Sequence, residues 1–310
     1  MIPDAESGEQ RQGTLSACYG LRILSDVPLD DLPRTSGEPH VRVRRQALPA
    51  WPLDSAESGL RVRAPADEVR FAIEGVAGFE VRGGEEILVD PFPGVSEDLV
   101  RISILGSCMS LILHARGKLV LHGSAVVIDG GAVAIVGPHG FGKSTLAATL
   151  ASRGHPFLTD DLLAIDLGGD DPRVLPGPAR SKLWPDALEA LGQEVDALPR
   201  LRPDLEKRGF RLSNPFTGVP PLAGILVLEA GASLETLEVG PHEALDVLLQ
   251  NWFGIRFGSR LLEAEFLAPA LERCARLIPA TPIARLRRPN DLGALQECAR
   301  LVEARFGRPR

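Results

Sequence analysis

Only four cysteines occur in the 310 residues, at positions 18, 108, 274 and 298, with no C-x-x-C spacing and no nearby histidine. That excludes a cysteine metal motif and makes each a small core residue of a reduced protein. Positive charge is not in excess either. The net charge is −7 and the pI near 5.5, so the chain carries no electrostatic footprint for nucleic acid or anionic lipid. No apolar run approaches the roughly 18 residues of a membrane helix. The opening MIPDAESGEQRQG is polar and acidic, unlike a signal peptide. These absences together lead us to expect a soluble, cytoplasmic protein. Glycine and proline are abundant, 32 and 26 residues, but they are scattered without period and read as turns, not low complexity.

What is present centres on residues 118–166. Gly137-Pro138-His139-Gly140-Phe141-Gly142-Lys143-Ser144 satisfies G-x-x-x-x-G-K-[ST], the P-loop or Walker A pattern. The context suits it: Ala132–Val136 reads as a buried strand, Thr145–Arg153 as a helix, and Gly154 as its C-terminal cap. Gly137, Gly140 and Gly142 let successive backbone N–H groups converge on a phosphate, and the start of the helix adds its positive end. Lys143 is placed for the terminal phosphates and Ser144 for Mg²⁺, with Thr145 completing the nucleotide-binding run. ATP and Mg²⁺ are the expected cofactors. Neither the Asn-Lys-x-Asp run of GTPases nor the Leu-Ser-Gly-Gly-Gln run of ABC-type ATPases occurs.

Directly after the helix come Asp160 and Asp161 at the end of a short apolar strand. Neighbouring side chains on a strand point to opposite faces, but a strand end can turn both toward one site. One would then hold Mg²⁺, a role expected of Asp161 with Ser144, while an aspartate accepts the proton of an acceptor hydroxyl. A solvated Asp-Asp turn or a helix cap before Leu162 is the plainer alternative.

The run His122-Gly123, the P-loop, Arg153-Gly154-His155 and Asp160-Asp161 resembles the catalytic domain of HPr kinase/phosphorylase. More distantly it is similar to ATP-dependent phosphoenolpyruvate carboxykinase. The closer likeness is to HPr-kinase-like serine kinases found with lasso-peptide genes, through Tyr19–Leu29 and Leu121–Val126. The resemblance implies an α/β P-loop kinase core with a β-rich N-terminal domain. It also implies phosphoryl transfer to a Ser or Thr hydroxyl of a peptide or small protein, and places His122 near the transferring phosphate. A small-molecule kinase and a nucleotide-binding regulator without turnover are the alternatives. Thr145 stands where HPr kinase/phosphorylase usually has Glu, and the N-terminal section differs, which argues against HPr itself as substrate.

Along the chain, residues 1–14 read as a disordered tail, 15–96 as a β-rich domain, 97–117 as a buried connecting helix and 118–310 as the kinase domain. Arg42, Arg44 and Arg45 alternate on a strand whose cations either meet an acidic substrate or face solvent. Arg180 and Lys182 lie with Trp184 in a proline-rich loop suited to an acceptor segment, or to packing. Lys207 and Arg208 fall in a charged stretch that reads as a mobile cation loop near the phosphates, or a solvated one. Late strands at Gly224–Leu228 and Leu234–Val239 are expected to pair, and helices at 241–251, 259–277 and 291–306 close the chain. Assembly into a homo-oligomer is left open.

Overall fold

The computed structural model describes residues 13–49, 60–63, 68–202, 205–257, 264–289 and 291–307. The tail expected at 1–14 thus lies almost wholly outside the described residues.

The N-terminal section is a seven-stranded mixed sheet. Its first stretch is a hairpin. Tyr19 and Gly20 both take positive φ (52° and 71°) and turn Thr14–Cys18 back onto Leu21–Ser25. That pair of left-handed residues matches the right-handed twist of the strands it joins. Gly83 and Gly84, both at positive φ, turn Ala77–Arg82 back onto Glu86–Pro91.

The connecting helix is broken in character. Residues 97–103 and 109–115 are α-helical, whereas Ile104–Cys108 forms a π segment. Gly117, at φ 78°, ends it. Contrary to the sequence reading, Glu97–Ala115 is long and apolar enough by composition to cross a membrane. Yet Ile104, Cys108, Met109 and Ile112 are fully buried in one hydrophobic cluster that runs from the N-terminal sheet into the following core. A helix packed on both sides shows this composition without any membrane.

The core sheet has eight strands. Gly131–Val136, Leu222–Ala230 and Ile283–Arg288 are parallel neighbours, and Leu119–Ile128 runs antiparallel beside the first of them. Val133 and Ile135 face the helices Lys143–Ser152 and Leu295–Phe306, while Ala132, Ala134 and Val136 face the opposite cluster. Both faces are therefore covered, as the parallel strands at the centre of this mixed sheet require. The late strands do not pair with each other. Ile283–Arg288, whose three arginines hide it in the sequence, lies between Leu222–Ala230 and Glu235–Glu238.

His122 and Ser124 belong to one ten-residue strand, Leu119–Ile128. Gly123 is needed there, since a Cβ would lie 2.7 Å from the Ile135 carbonyl oxygen. A third sheet, of three strands, holds Arg180–Leu183 against Leu205–Arg211. The expected loops around Lys182 and Lys207 are thus neighbouring strands, hydrogen-bonded in register. All four cysteines are buried and unpaired.

Candidate functional site

The P-loop leaves the carboxyl end of Gly131–Val136 and enters the helix at Lys143. Gly137, Gly140 and Gly142 all have positive φ (140°, 83° and 78°). At Gly137 a Cβ would approach the Leu228 carbonyl oxygen to 2.7 Å, so only glycine passes that neighbouring strand. Its N–H is fixed by the buried Asn251 side chain at 2.9 Å. Gly142 precedes the helix without a side-chain cap, which leaves the first-turn N–H groups directed at the cavity.

Lys143 is nearly buried, its Nζ donating to the carbonyl oxygens of Gly137 (2.8 Å) and Pro138 (2.9 Å). Burial pulls its pKa from 10.5 down to about 8, against the opposing pull of Asp160 and Asp161. A cavity of about 360 Å³ opens over the loop. Its walls bring together Lys143, Ser144, Thr145, Asp160, Asp161 and His122, with His139, Lys182 and Lys207 around them.

The two aspartates have separate surroundings. Asp160 is nearly buried, and its Oδ1 accepts from Ser144 (2.8 Å) and Ser124 (2.6 Å). Its Oδ2 accepts from the Ser181 hydroxyl at 2.6 Å and the Lys182 N–H at 3.3 Å. Asp161 adopts φ 71°, a left-handed conformation that a non-glycine residue rarely takes. This turn swings both carboxylates into one cavity, as expected for a strand end. Asp161 then meets Lys182 Nζ at 2.8 Å, Arg256 Nη1 at 3.3 Å and His122 Nδ1 at 3.2 Å. Burial alone would raise its pKa, but Lys182, His122 and Arg256 outweigh it and hold the carboxyl well below the usual range.

The expected partnership of Ser144 with Asp161 is therefore corrected: the acid bonded to Ser144 is Asp160. The reason is the left-handed turn, which leaves Asp160 pointing at the P-loop helix and sends Asp161 toward the cations. An oxygen-only pair, Ser144 Oγ and Asp160 Oδ1, at the phosphate cradle is the donor set Mg²⁺ takes when phosphates supply the remaining ligands. Among the described residues no cluster of three or more His, Cys, Asp or Glu could hold a metal by itself.

Other sequence expectations are sorted by the same geometry. His139, at a variable position of the loop pattern, stands with its ring 6.5 Å from that of His122. Lys207 lies over the exposed Trp184 ring, 5.2 Å from its centroid, beside the cavity. Arg208 is a correction: its side chain is buried, donates to the carbonyls of Val195 and Glu206, and does not line the cavity over the P-loop. Arg180 is paired to Asp31 at 2.8 Å. It does not line the cavity over the P-loop but borders a smaller one that Asp160 and Asp161 share, and its strand neighbours Ser181 and Lys182 bond the two aspartates. Pro138 and Gly137 line a second cavity on the other face of the loop. Phe141 packs against the hydrophobic core, and its carbonyl accepts from Arg288 at 2.9 Å. Arg153 and His155 serve packing: both bind Glu303 of the last helix.

Four contributors escape the sequence reading. Ser181, Asn251 and Arg256 carry no motif, and Ser124 belongs to the Leu121–Val126 run without an assigned role there; the fold brings all four to the P-loop or the aspartates. Ser124 has one usable signal, its place two residues after His122 on the same strand.

No family model matches the chain, and no curated protein matches it. Among solved structures it is similar to the HPr(Ser) kinase/phosphatase of Coxiella burnetii. The identity is 14%, the coverage 60% of this chain and 95% of that one, and the TM-score 0.29. A likeness of that size leaves the functional reading to the site itself.

Proposed function

We propose that the protein is an ATP-dependent kinase that phosphorylates a Ser or Thr hydroxyl on a peptide or small protein. The observation that carries this is the meeting of Ser144 and Asp160 at 2.8 Å, with Asp161 facing the same cavity as Lys143. A binding-only P-loop needs the cradle; it does not need a second acid, ringed by cations, at the mouth of the same cavity.

In this reading the P-loop N–H groups and Lys143 hold the β- and γ-phosphates. Ser144 and Asp160 would hold Mg²⁺, whose charge would be supplied to the leaving diphosphate. Trp184 offers its exposed ring to the nucleobase. Asp161, ionised throughout the neutral range, orients the acceptor hydroxyl and takes its proton as the new O–P bond forms and the bond to the β-phosphate breaks. A weak base suffices, because a loose phosphoryl transition state demands charge stabilisation and alignment before proton removal. Lys182, Arg256 and His122 are the groups beside Asp161 able to stabilise the charge on the moving phosphoryl group.

The test is incubation with γ-labelled ATP, Mg²⁺ and the peptides encoded beside the gene, lasso-type precursors first if any are present. Label on a peptide Ser or Thr is the expected result. ATP bound without transfer to any acceptor would leave a nucleotide-binding regulator instead.

A further inference from the structure

The P-loop separates two cavities, and the nucleotide accounts for only one of them. The second, of about 450 Å³, lies between the carboxyl end of Leu222–Ala230 and the helix Pro241–Gln250. The two cavities share His122, His139 and Arg256. Asp161 sits at that junction, bonded to both His122 and Arg256. Phosphoryl transfer places the attacking and leaving oxygens roughly in line across phosphorus. With the nucleotide along Lys143 and Ser144, an acceptor approaching from the His122–Arg256 side would come through this second cavity, whose wall includes both of these partners of Asp161.

Its chemistry narrows what can occupy it. Arg285, one of its two arginines, is already neutralised by Glu229 at 2.7 Å and by Glu243. Arg256 is engaged by Asp161. Among the described residues of its wall, no free cation cluster is left to clamp a carboxylated or phosphorylated metabolite, which such acceptors require. Beside the two shared histidines, the rest of the wall mixes apolar side chains, Val227, Val247, Trp252 and Ile255, with the neutral amides of Gln250 and Asn251. Ile255, 43% exposed, is an apolar side chain of this wall that a ligand can reach. The space is also far larger than one serine side chain fills.

Building on the kinase reading above, we propose that this cavity is the acceptor subsite. It takes a short, uncharged peptide segment whose apolar side chains lie on Ile255 and Val247 while its Ser or Thr hydroxyl points at Asp161. The hydroxyl oxygen bonds to the γ-phosphorus, the bond to the β-phosphate oxygen breaks, the proton passes to Asp161, and ADP leaves.

The native cysteines are all buried, so Ile255→Cys and, on the helix side, Gln250→Cys each give one accessible thiol. Each variant is compared before and after modification with a bulky maleimide. The probes are γ-labelled ATP and a library of acetylated hexapeptides with one serine in uncharged, apolar contexts, with free serine and glycerol as small acceptors. Modification is expected to lower kcat/KM for the peptides by roughly tenfold or more, with the Kd for Mg-ATP unchanged within about twofold. Peptide transfer that survives both modifications overturns the assignment of the cavity. Transfer to small acceptors but to no peptide overturns the peptide class. Mg-ATP binding with transfer to no acceptor of any kind overturns the kinase reading itself, and the subsite with it.

Discussion

Arg180 Nη1 donates to the Asp31 carboxylate at 2.8 Å, and that bond ties the N-terminal section to the strand whose next residues hold both site aspartates. Arg101 and Arg211 converge on the same carboxylate, each at 3.2 Å. One and two residues beyond Arg180, Ser181 and Lys182 fix Asp160 and Asp161. Removing Asp31 should therefore disturb chemistry more than nucleotide affinity. Asp31→Ala is expected to lower kcat about tenfold with little change in KM for ATP, since small misplacement of reacting groups is costly. Asp31→Glu should recover part of the loss. Steady-state kinetics of all three proteins checks this; equal losses in kcat and ATP affinity would mean general damage instead.

The two aspartates should fail differently. Asp160→Asn places an amide against the Ser124, Ser144 and Ser181 hydroxyls that now donate to a carboxylate. Mg²⁺-dependent nucleotide binding should weaken along with transfer. Asp161→Asn should retain Mg-ATP binding while transfer drops by about 10²–10⁴, the usual range for a positioned proton acceptor. Titration calorimetry paired with single-turnover rates separates the two outcomes.

Lys143 makes nucleotide binding pH-dependent. With its pKa near 8, the lysine is partly neutral above that pH in the free protein, and triphosphate must restore its proton. Binding above about pH 8 should take up a proton and weaken as pH rises; well below the lysine's pKa this effect should vanish. Calorimetry in two buffers of different ionisation enthalpy shows it as a buffer-dependent binding heat, absent in Lys143→Met.

Glu303 gives a pH effect on stability. Hydrogen bonds from Arg153 and, beyond the small cost of burial, from His155 hold its pKa at about 2, below the ordinary 4.5. The carboxylate thus stabilises the fold fully above pH 4.5, and the contribution fades as pH falls through 2. Since the group is partly exposed, Glu303→Gln should cost only about 0.5–1 kcal/mol at neutral pH. The gap between wild type and variant in denaturant unfolding should narrow steadily below pH 4.5.

Local pattern is enough to place the strand, P-loop and helix of residues 132–152, because glycine spacing and apolar runs act over a few residues. The Asp160-Asp161 pair is legible for the same reason, though not which acid faces Ser144; a single left-handed φ at Asp161 decides that. Leu205–Arg211 reads as a loop in the sequence because its charges mask a strand that exists only through pairing with its neighbours, Arg180–Leu183 among them.

What the chain determined on its own is a phosphate cradle and two adjacent acids, since backbone conformation and charge there depend on near neighbours. Only the tertiary structure decided which distant groups complete the site. Asn251 reaches Gly137 across 114 residues and Arg256 reaches Asp161 across 95. Those meetings follow from the order in which strands join the sheet, and strand order is set by burying both sheet faces at once, a condition no short stretch of sequence can express.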